Sequence, residues 1–262
     1  MPLMKMRLAA PTTLVDISRI SGLSYVREGG NHLAIGALTT YDIIEHNKKV
    51  EEEFALVNDA IRRIGDQQVR NLGTIGGSAC HADPAGDLPT VLLVADAQFV
   101  VEGKNGPRVV PALGFFVDLF ATDVSHDEVL TEVRLPYLPP NSGSAYLKLS
   151  LREADFGLAM VGAVVTLEDG ASCRSARIGI GAAGPTPLRA TSAEGYLIGK
   201  TLDEKTVSEA AEKAVEGASP TPDVHGNRWY RLEMIKVLTR RSLELAIQRA
   251  GTESGDRNHG QG

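Results

Sequence analysis

Gly76 and Gly77, flanked by Thr74 and Ser78 and followed by Asp83 and Asp87, lie in the stretch whose residue types and spacing most invite chemistry. It reads "NLGTIGGSACHADPAGDLP" over residues 71–89. A turn needs one glycine. Two in succession let the backbone bend with no Cβ in the way, so that consecutive amides can point at one anion. The hydroxyls of Thr74 and Ser78 can donate to phosphate oxygens. Such an uncharged cradle suits a diphosphate, its charge met by amide dipoles. Asp83 and Asp87 would repel a phosphate placed against them. One of the two is therefore read as an acceptor for sugar-like hydroxyls, and the other as a cap for a turn or for the helix near Leu88. A ligand with a diphosphate and a polyol chain fits this set; a glycine turn beside a capped helix is the plainer alternative.

A second glycine motif competes for attention. Residues 179–184, GIGAAG, match G-x-G-x-x-G letter for letter. A dinucleotide reading requires that loop to open a helix whose N-terminus faces the pyrophosphate. Pro185-Thr186-Pro187 follows at once, and a residue before proline is pushed out of helical geometry. The motif is read as close strand packing by small residues.

The elements that must position these residues show in the surrounding pattern. LVDI and LSYVRE read as short strands, with Gly29-Gly30-Asn31 turning into HLAIGA. Thr40 reads as an N-cap for TYDIIEHN, and Phe54, Leu56, Val57, Ala60, Ile61 and Ile64 take helical spacing over residues 53–64. LPTVLLVADA is a short helix with Pro89 in its first turn. QFVVEG and PRVVPA form a hairpin about a KNG turn; EVLTEVRLP and AYLKLSL are further strands. Pro139-Pro140-Asn141-Ser142-Gly143 marks a domain boundary between them. MVGAVVTLEDG and SARIGIGAAG then pair antiparallel, and helices follow near 191–198, 204–217 and 227–249. In the last helix Trp229, Leu232, Ile235, Leu238, Leu243 and Ile247 are placed facing inward. Residues 251–262 have no large apolar side chain and read as a mobile tail.

Bulk properties exclude several classes. With 262 residues, 43% hydrophobic and 23% charged, the chain can build a large core of ordinary globular composition. A net charge of −6 argues against a nucleic-acid surface. No apolar run reaches membrane-spanning length, and the start MPLMKMRLAAP is too short and too interrupted for a secretory signal, which predicts a cytoplasmic protein. Two cysteines and six scattered histidines offer neither a cluster site nor a metal site. Cys80 and His81 are read as packing and hydrogen bonding, and no side chain reads as a general acid or a nucleophile.

"VRNLGTIGGSACHADPAGDLP", residues 69–89, resembles the second flavin-binding segment of the FAD-binding medium subunits of molybdenum hydroxylases, the carbon monoxide dehydrogenase and xanthine dehydrogenase family. "LMKMRLAAPTTLVDISRISGL" resembles the family's early region, "EVLTEVRLP" its closing strand, "SAYLKLSLREADFGLAMVGAVV" the start of its C-terminal domain and "NRWYRLEMIKVLTRRSLELA" that domain's last helix, all in order. The resemblance implies an α+β fold: a PCMH-type FAD-binding domain over 1–138, then a smaller domain with an antiparallel sheet and a helical layer over 143–250. It implies FAD as cofactor, with Thr74, Ile75, Gly76, Gly77 and Ser78 holding the pyrophosphate through amides and hydroxyls. Asp87 would bond the ribityl chain, Leu130 would pack near the isoalloxazine, Lys148 would approach the ring system, and Ile64 would line the flavin side.

Two departures stand out. The family's first glycine loop, of the kind A-G-G-x-S-L, should precede Pro2, and Gly29-Gly30 falls too far downstream to replace it. Two explanations compete, a start codon assigned too late and loss of part of the flavin site, the first being favoured; weak FAD binding or aggregation is expected of the chain as written. Asp66 also stands where a histidine is common. The function implied is electron transfer from the iron–sulfur clusters of a small subunit, through FAD, to an external acceptor. Substrate would be hydroxylated at the molybdenum cofactor of a large subunit, the whole forming a dimer of heterotrimers. The alternatives are a self-contained flavin oxidoreductase and a flavin-free assembly subunit.

Overall fold

The computed structural model describes residues 2–7 and 10–256. A one-turn helix α1 (Pro2–Lys5) precedes β1 (Val26–Glu28) and β2 (His32–Gly36), and Gly30 turns between the two strands at φ +75°. Four short helices follow: α2 (Tyr41–Glu45), α3 (Lys48–Glu53), α4 (Ala55–Ile61) and α5 (Gln67–Leu72). Then come α6 (Ile75–His81), α7 (Asp87–Val94), β3 (Gln98–Gly103) and β4 (Gly106–Pro111). A turn α8 (Ala112–Phe115) and the small hairpin β5 (Phe116–Asp118) and β6 (Ala121–Thr122) lead to β7 (Val129–Pro136). Strand β7 closes a five-stranded antiparallel sheet of order β1-β2-β7-β3-β4.

Beyond the proline-rich link, β8 (Ser142–Leu149), β9 (Ala159–Glu168), β10 (Ser172–Gly181) and β11 (Leu188–Arg189) make a second antiparallel sheet, order β11-β10-β9-β8. Its covering helices are α9 (Thr191–Leu197), α10 (Glu204–Ala214) and α11 (Arg228–Asp256). The expected α+β architecture in two sheet-based halves is what the chain adopts. Helix α11 packs on β8 and β9, while α4 packs on β8, and α7 on β9 and β10. The second sheet is thus covered by helices on both faces, which is why β9 is buried from Ala159 to Leu167 without alternation. Helix α7 is buried at all eight positions, the pattern of a helix that is apolar all round and enclosed on every side.

The GIGAAG motif finds its explanation here. An added Cβ on Gly179 would lie 2.2 Å from Val94 Cγ2, and one on Gly181 would lie 2.3 Å from Thr90 Oγ1. Both glycines let β10 press against α7, and no helix follows the motif, only β11.

Several sequence expectations need correction. LVDI is not a strand: Leu14 and Val15 are 64% and 80% exposed, with no partner strand to bury them. The helix expected over 53–64 is present but shorter, as α4 over Ala55–Ile61, because the buried Phe54 ahead of it leaves helical geometry with ψ +53° and separates it from α3. Trp229 does not face inward but is 69% exposed at the start of α11, whereas Ile235, Leu238 and Leu243 are buried as expected. Helix α11 continues through residues 251–256 of the expected tail, and 257–262 lie outside the described residues. No helix among the described residues is long and apolar enough to cross a membrane.

Candidate functional site

The double glycine is not a loop. Thr74, extended at φ −120° and ψ 154°, caps α6, and its Oγ1 accepts the Gly77 amide at 3.1 Å. Glycine in a helix costs about 1 kcal/mol relative to alanine, and tertiary hydrogen bonds offset that cost. The Ile75 amide donates to Thr39 O and the Gly76 amide to Ala37 O, while the Ser78 amide closes onto Thr74 O. A Cβ on Gly76 would meet Ala37 at 2.6 Å, so only glycine lets α6 lie this close to the chain after β2. The expectation of a bent backbone offering consecutive amides to an anion is therefore corrected. Each of the four amides from 75 to 78 already has a partner within the chain.

What the segment does present is hydroxyl chemistry. Thr74 Oγ1 accepts from Gly77 and so keeps its own proton to donate outward. Gly77 is exposed, and Thr74 and Ser78 are half-buried beside it. Tyr41 of α2 packs against this segment, its ring 2.4 Å from where a Cβ on Gly73 would lie, and burial pushes its pKa up. Ile75 itself is fully buried in the core. His81 stacks on Phe120 with ring centres 5.1 Å apart.

The second cluster sits where the two halves meet. Asp87 opens α7 but caps nothing: the N-cap is Gly86, and no side chain bonds the first turn. Its carboxylate instead crosses to β8, with Oδ1 accepting from Tyr146 Oη at 2.7 Å and both oxygens accepting from Lys148 Nζ at 2.9 and 3.0 Å. Lys148 Nζ also donates to Arg63 O at 2.8 Å, immediately before the half-buried Ile64. Tyr146 and Lys148 share a face of β8 because they are two residues apart. The intervening Ala145 and Leu147 face the other core. Side-chain exposure is 2% for Lys148 and 7% for Asp87. Burial pushes the Asp87 carboxyl above its ordinary range, against the opposing pull of Lys148 and Tyr146. Burial and the Asp87 charge hold the Tyr146 hydroxyl protonated, its pKa well above the usual phenol value.

Leu130 lies on β7, just past a register shift between Val100 and Val101, and is 4% exposed within the core. A cleft of ≈ 510 Å³, lined by Pro84 and Ala85 before α7, by residues of the 151–158 loop after β8 and by Arg231, does not include Asp87, Tyr146 or Lys148 in its wall. Asp66, the other departure, caps α5 by accepting the Val69 amide at 2.9 Å.

The structure thus brings Asp87, Lys148 and Ile64 together through Arg63, and gathers Thr74 to Ser78 around Tyr41; Leu130 remains a core residue. Sequence reasoning missed Tyr41 and Tyr146. The Y-x-K spacing on a strand was the available signal for Tyr146, since it puts both side chains on one face. Against a dinucleotide with a polyol chain, the outward hydroxyls and the buried acceptor at the seam fit, and the amides do not.

Residues 1–138 match the model described as "FAD binding domain in molybdopterin dehydrogenase", and residues 144–246 match "CO dehydrogenase flavoprotein C-terminal domain". The chain is 36% identical over 258 residues to the 6-hydroxypseudooxynicotine dehydrogenase complex subunit alpha of Paenarthrobacter nicotinovorans, spanning 98% of this chain and 87% of that one. It is 37% identical to the glyceraldehyde dehydrogenase medium chain of Sulfolobus acidocaldarius, over 93% and 86% of the two chains. Among solved structures, carbon monoxide dehydrogenase from Hydrogenophaga pseudoflava superposes with a TM-score of 0.92 at 37% identity, covering 95% of this chain and 86% of that one. These matches extend across both sheets and carry the cofactor with them: the chain belongs to the FAD-binding medium subunits of the molybdenum hydroxylases, the family of the carbon monoxide and xanthine dehydrogenases.

Proposed function

We propose that this subunit receives electrons from the iron–sulfur clusters of a small partner subunit and passes them to an external acceptor. Oxidation of the substrate takes place at the molybdenum cofactor of a large subunit, within a dimer of heterotrimers. FAD, when bound, supplies the redox relay; the chain supplies position, charge and exclusion of water. The Thr74 and Ser78 hydroxyls donate to the pyrophosphate, and Gly77 lets it come close. Ile75 and Gly76 fix that strip in place from the core side. Asp87 accepts from ribityl hydroxyls, Lys148 reaches toward the ring system, and Ile64 and Leu130 support the apolar wall.

The observation that carries this reading is the buried Asp87–Lys148 contact between the two halves. An acidic acceptor and a cation held together at a domain seam are groups a flavin's polar edge and sugar chain can use. Purification of the chain with its partners, followed by flavin quantification, tests it. Stoichiometric FAD, reduced when substrate of the complex is added, is the expected result. A complex that assembles and turns over without flavin overturns the reading.

A further inference from the structure

Lys148 and Tyr146 both donate to Asp87, but they are not equivalent donors. Lys148 carries a flexible four-carbon stem, and its ammonium already divides its bonds between Asp87 and Arg63 O. Tyr146 is fully buried, and its hydroxyl bonds Asp87 Oδ1 at 2.7 Å. Its backbone is pinned as well. The Tyr146 amide donates to Asp59 Oδ2 at 3.2 Å, and Asp59 is held by Arg249 Nη1 at 2.6 Å. A tyrosine ring has only two rotatable bonds and, enclosed here, no alternative place to go. Tyr146 is thus held by both ring and backbone, whereas Lys148, enclosed as well at 2% exposure, has four side-chain torsions through which its ammonium can be redirected.

Resting on the FAD reading above, we infer that Tyr146 is a positioning residue for the flavin site. It holds Asp87 in place when Lys148 turns from the carboxylate toward bound flavin. Without the Tyr146 hydroxyl, departure of Lys148 would strand a buried carboxylate, and the site would resist the ligand. With it, the carboxylate keeps a charge-assisted bond throughout and stays oriented as an acceptor for the polyol chain.

The decisive variant is Tyr146→Phe, which keeps the ring and removes only the bond to Asp87. FAD binding is followed by quenching of flavin fluorescence. The dissociation constant rises at least about tenfold, the loss expected for a hydrogen bond to a charged acceptor. In an Asp87→Asn background the same change has little further effect, because the two act as a unit. The pH profile distinguishes positioning from packing. Asp87 is faced by Tyr146 and Lys148 from β8, by Tyr41 from α2, and by its own amide on α7, with the Arg63 charge near Tyr146. Removing Tyr146's donor leaves burial less opposed, so FAD affinity is lost at a higher pH in the variant than in the parent.

A second measurement leaves the fold untouched. With 3-fluorotyrosine and ¹⁵Nζ-lysine labels, FAD addition moves the Lys148 signal and leaves the Tyr146 signal in place. If the parent binds FAD but Tyr146→Phe binds it equally well with the same pH profile, or if FAD displaces Tyr146 along with Lys148, the inference is overturned and the FAD reading stands. If the parent in its assembled complex takes no FAD, both fall.

Discussion

At the scale of single residues, the buried Asp87–Lys148 pair dominates expectations about stability. Such a pair adds little relative to well-packed apolar residues, yet removing one partner strands the other charge. Asp87→Ala should cost about 3–5 kcal/mol in urea unfolding, and adding Lys148→Met should recover part of that loss. A surface pair behaves differently. Arg108 Nε holds Glu128 Oε1 at 2.6 Å, and the bond to Arg108 lowers the Glu128 pKa from 4.5 to about 2. Because the folded value lies below the unfolded one, the stability Glu128 adds is present above pH 4.5 and is lost as pH falls toward 2. Urea midpoints should therefore drop less between pH 5 and pH 2 in Glu128→Gln than in the parent. Of the site, the family resemblance singled out Asp87 and Lys148 one at a time. Their direct contact was not legible, since it depends on a helix and a strand 61 residues apart meeting at a seam.

At the scale of elements, helix α7 is the piece against which others are fitted. Gly179→Ala places a methyl 2.2 Å from Val94 Cγ2, and overpacking of this kind costs about 1–3 kcal/mol. Thermal unfolding of the purified variant checks it; Gly184→Ala, with nothing closer than 3.9 Å, serves as the control. Elements with strong local codes were readable. The β3–β4 hairpin turns where Lys104-Asn105-Gly106 said it would, Gly106 taking φ +95°. Thr40 caps α2, its Oγ1 accepting from Ile43 N. Helix α6 was not readable, because two glycines argue locally against a helix and the bonds that hold it come from Thr39 and Ala37, outside it. Trp229 followed the helical period yet sits in the first turn of α11, before that helix reaches its sheet. The letters of GIGAAG matched a nucleotide loop, and only the prolines behind them indicated packing.

At the scale of the whole molecule, three carboxylates of the first half reach cations of the second. Asp59 meets Arg249 at 2.6 Å, Asp87 meets Lys148, and Asp96 meets Arg177 and Arg189 at 2.6 and 3.0 Å. Together with the apolar contact of α4 and α7 on the second sheet, they tie the halves into one cooperative unit. Calorimetry should show a single transition for the chain; two resolved transitions would contradict this account. Asp66→Ala, by contrast, should cost about 1 kcal/mol for a lost cap and leave the single transition intact.

Anyone hoping to build chimaeras by exchanging one half of this subunit for a relative's faces a constraint set by α7. The cut in the chain at the proline-rich link is easy to choose, but the true frontier runs through the middle of that enclosed helix. A transplanted second half will seat only if it brings small residues opposite Thr90 and Val94 and a tyrosine and lysine opposite Asp87, whatever its overall likeness.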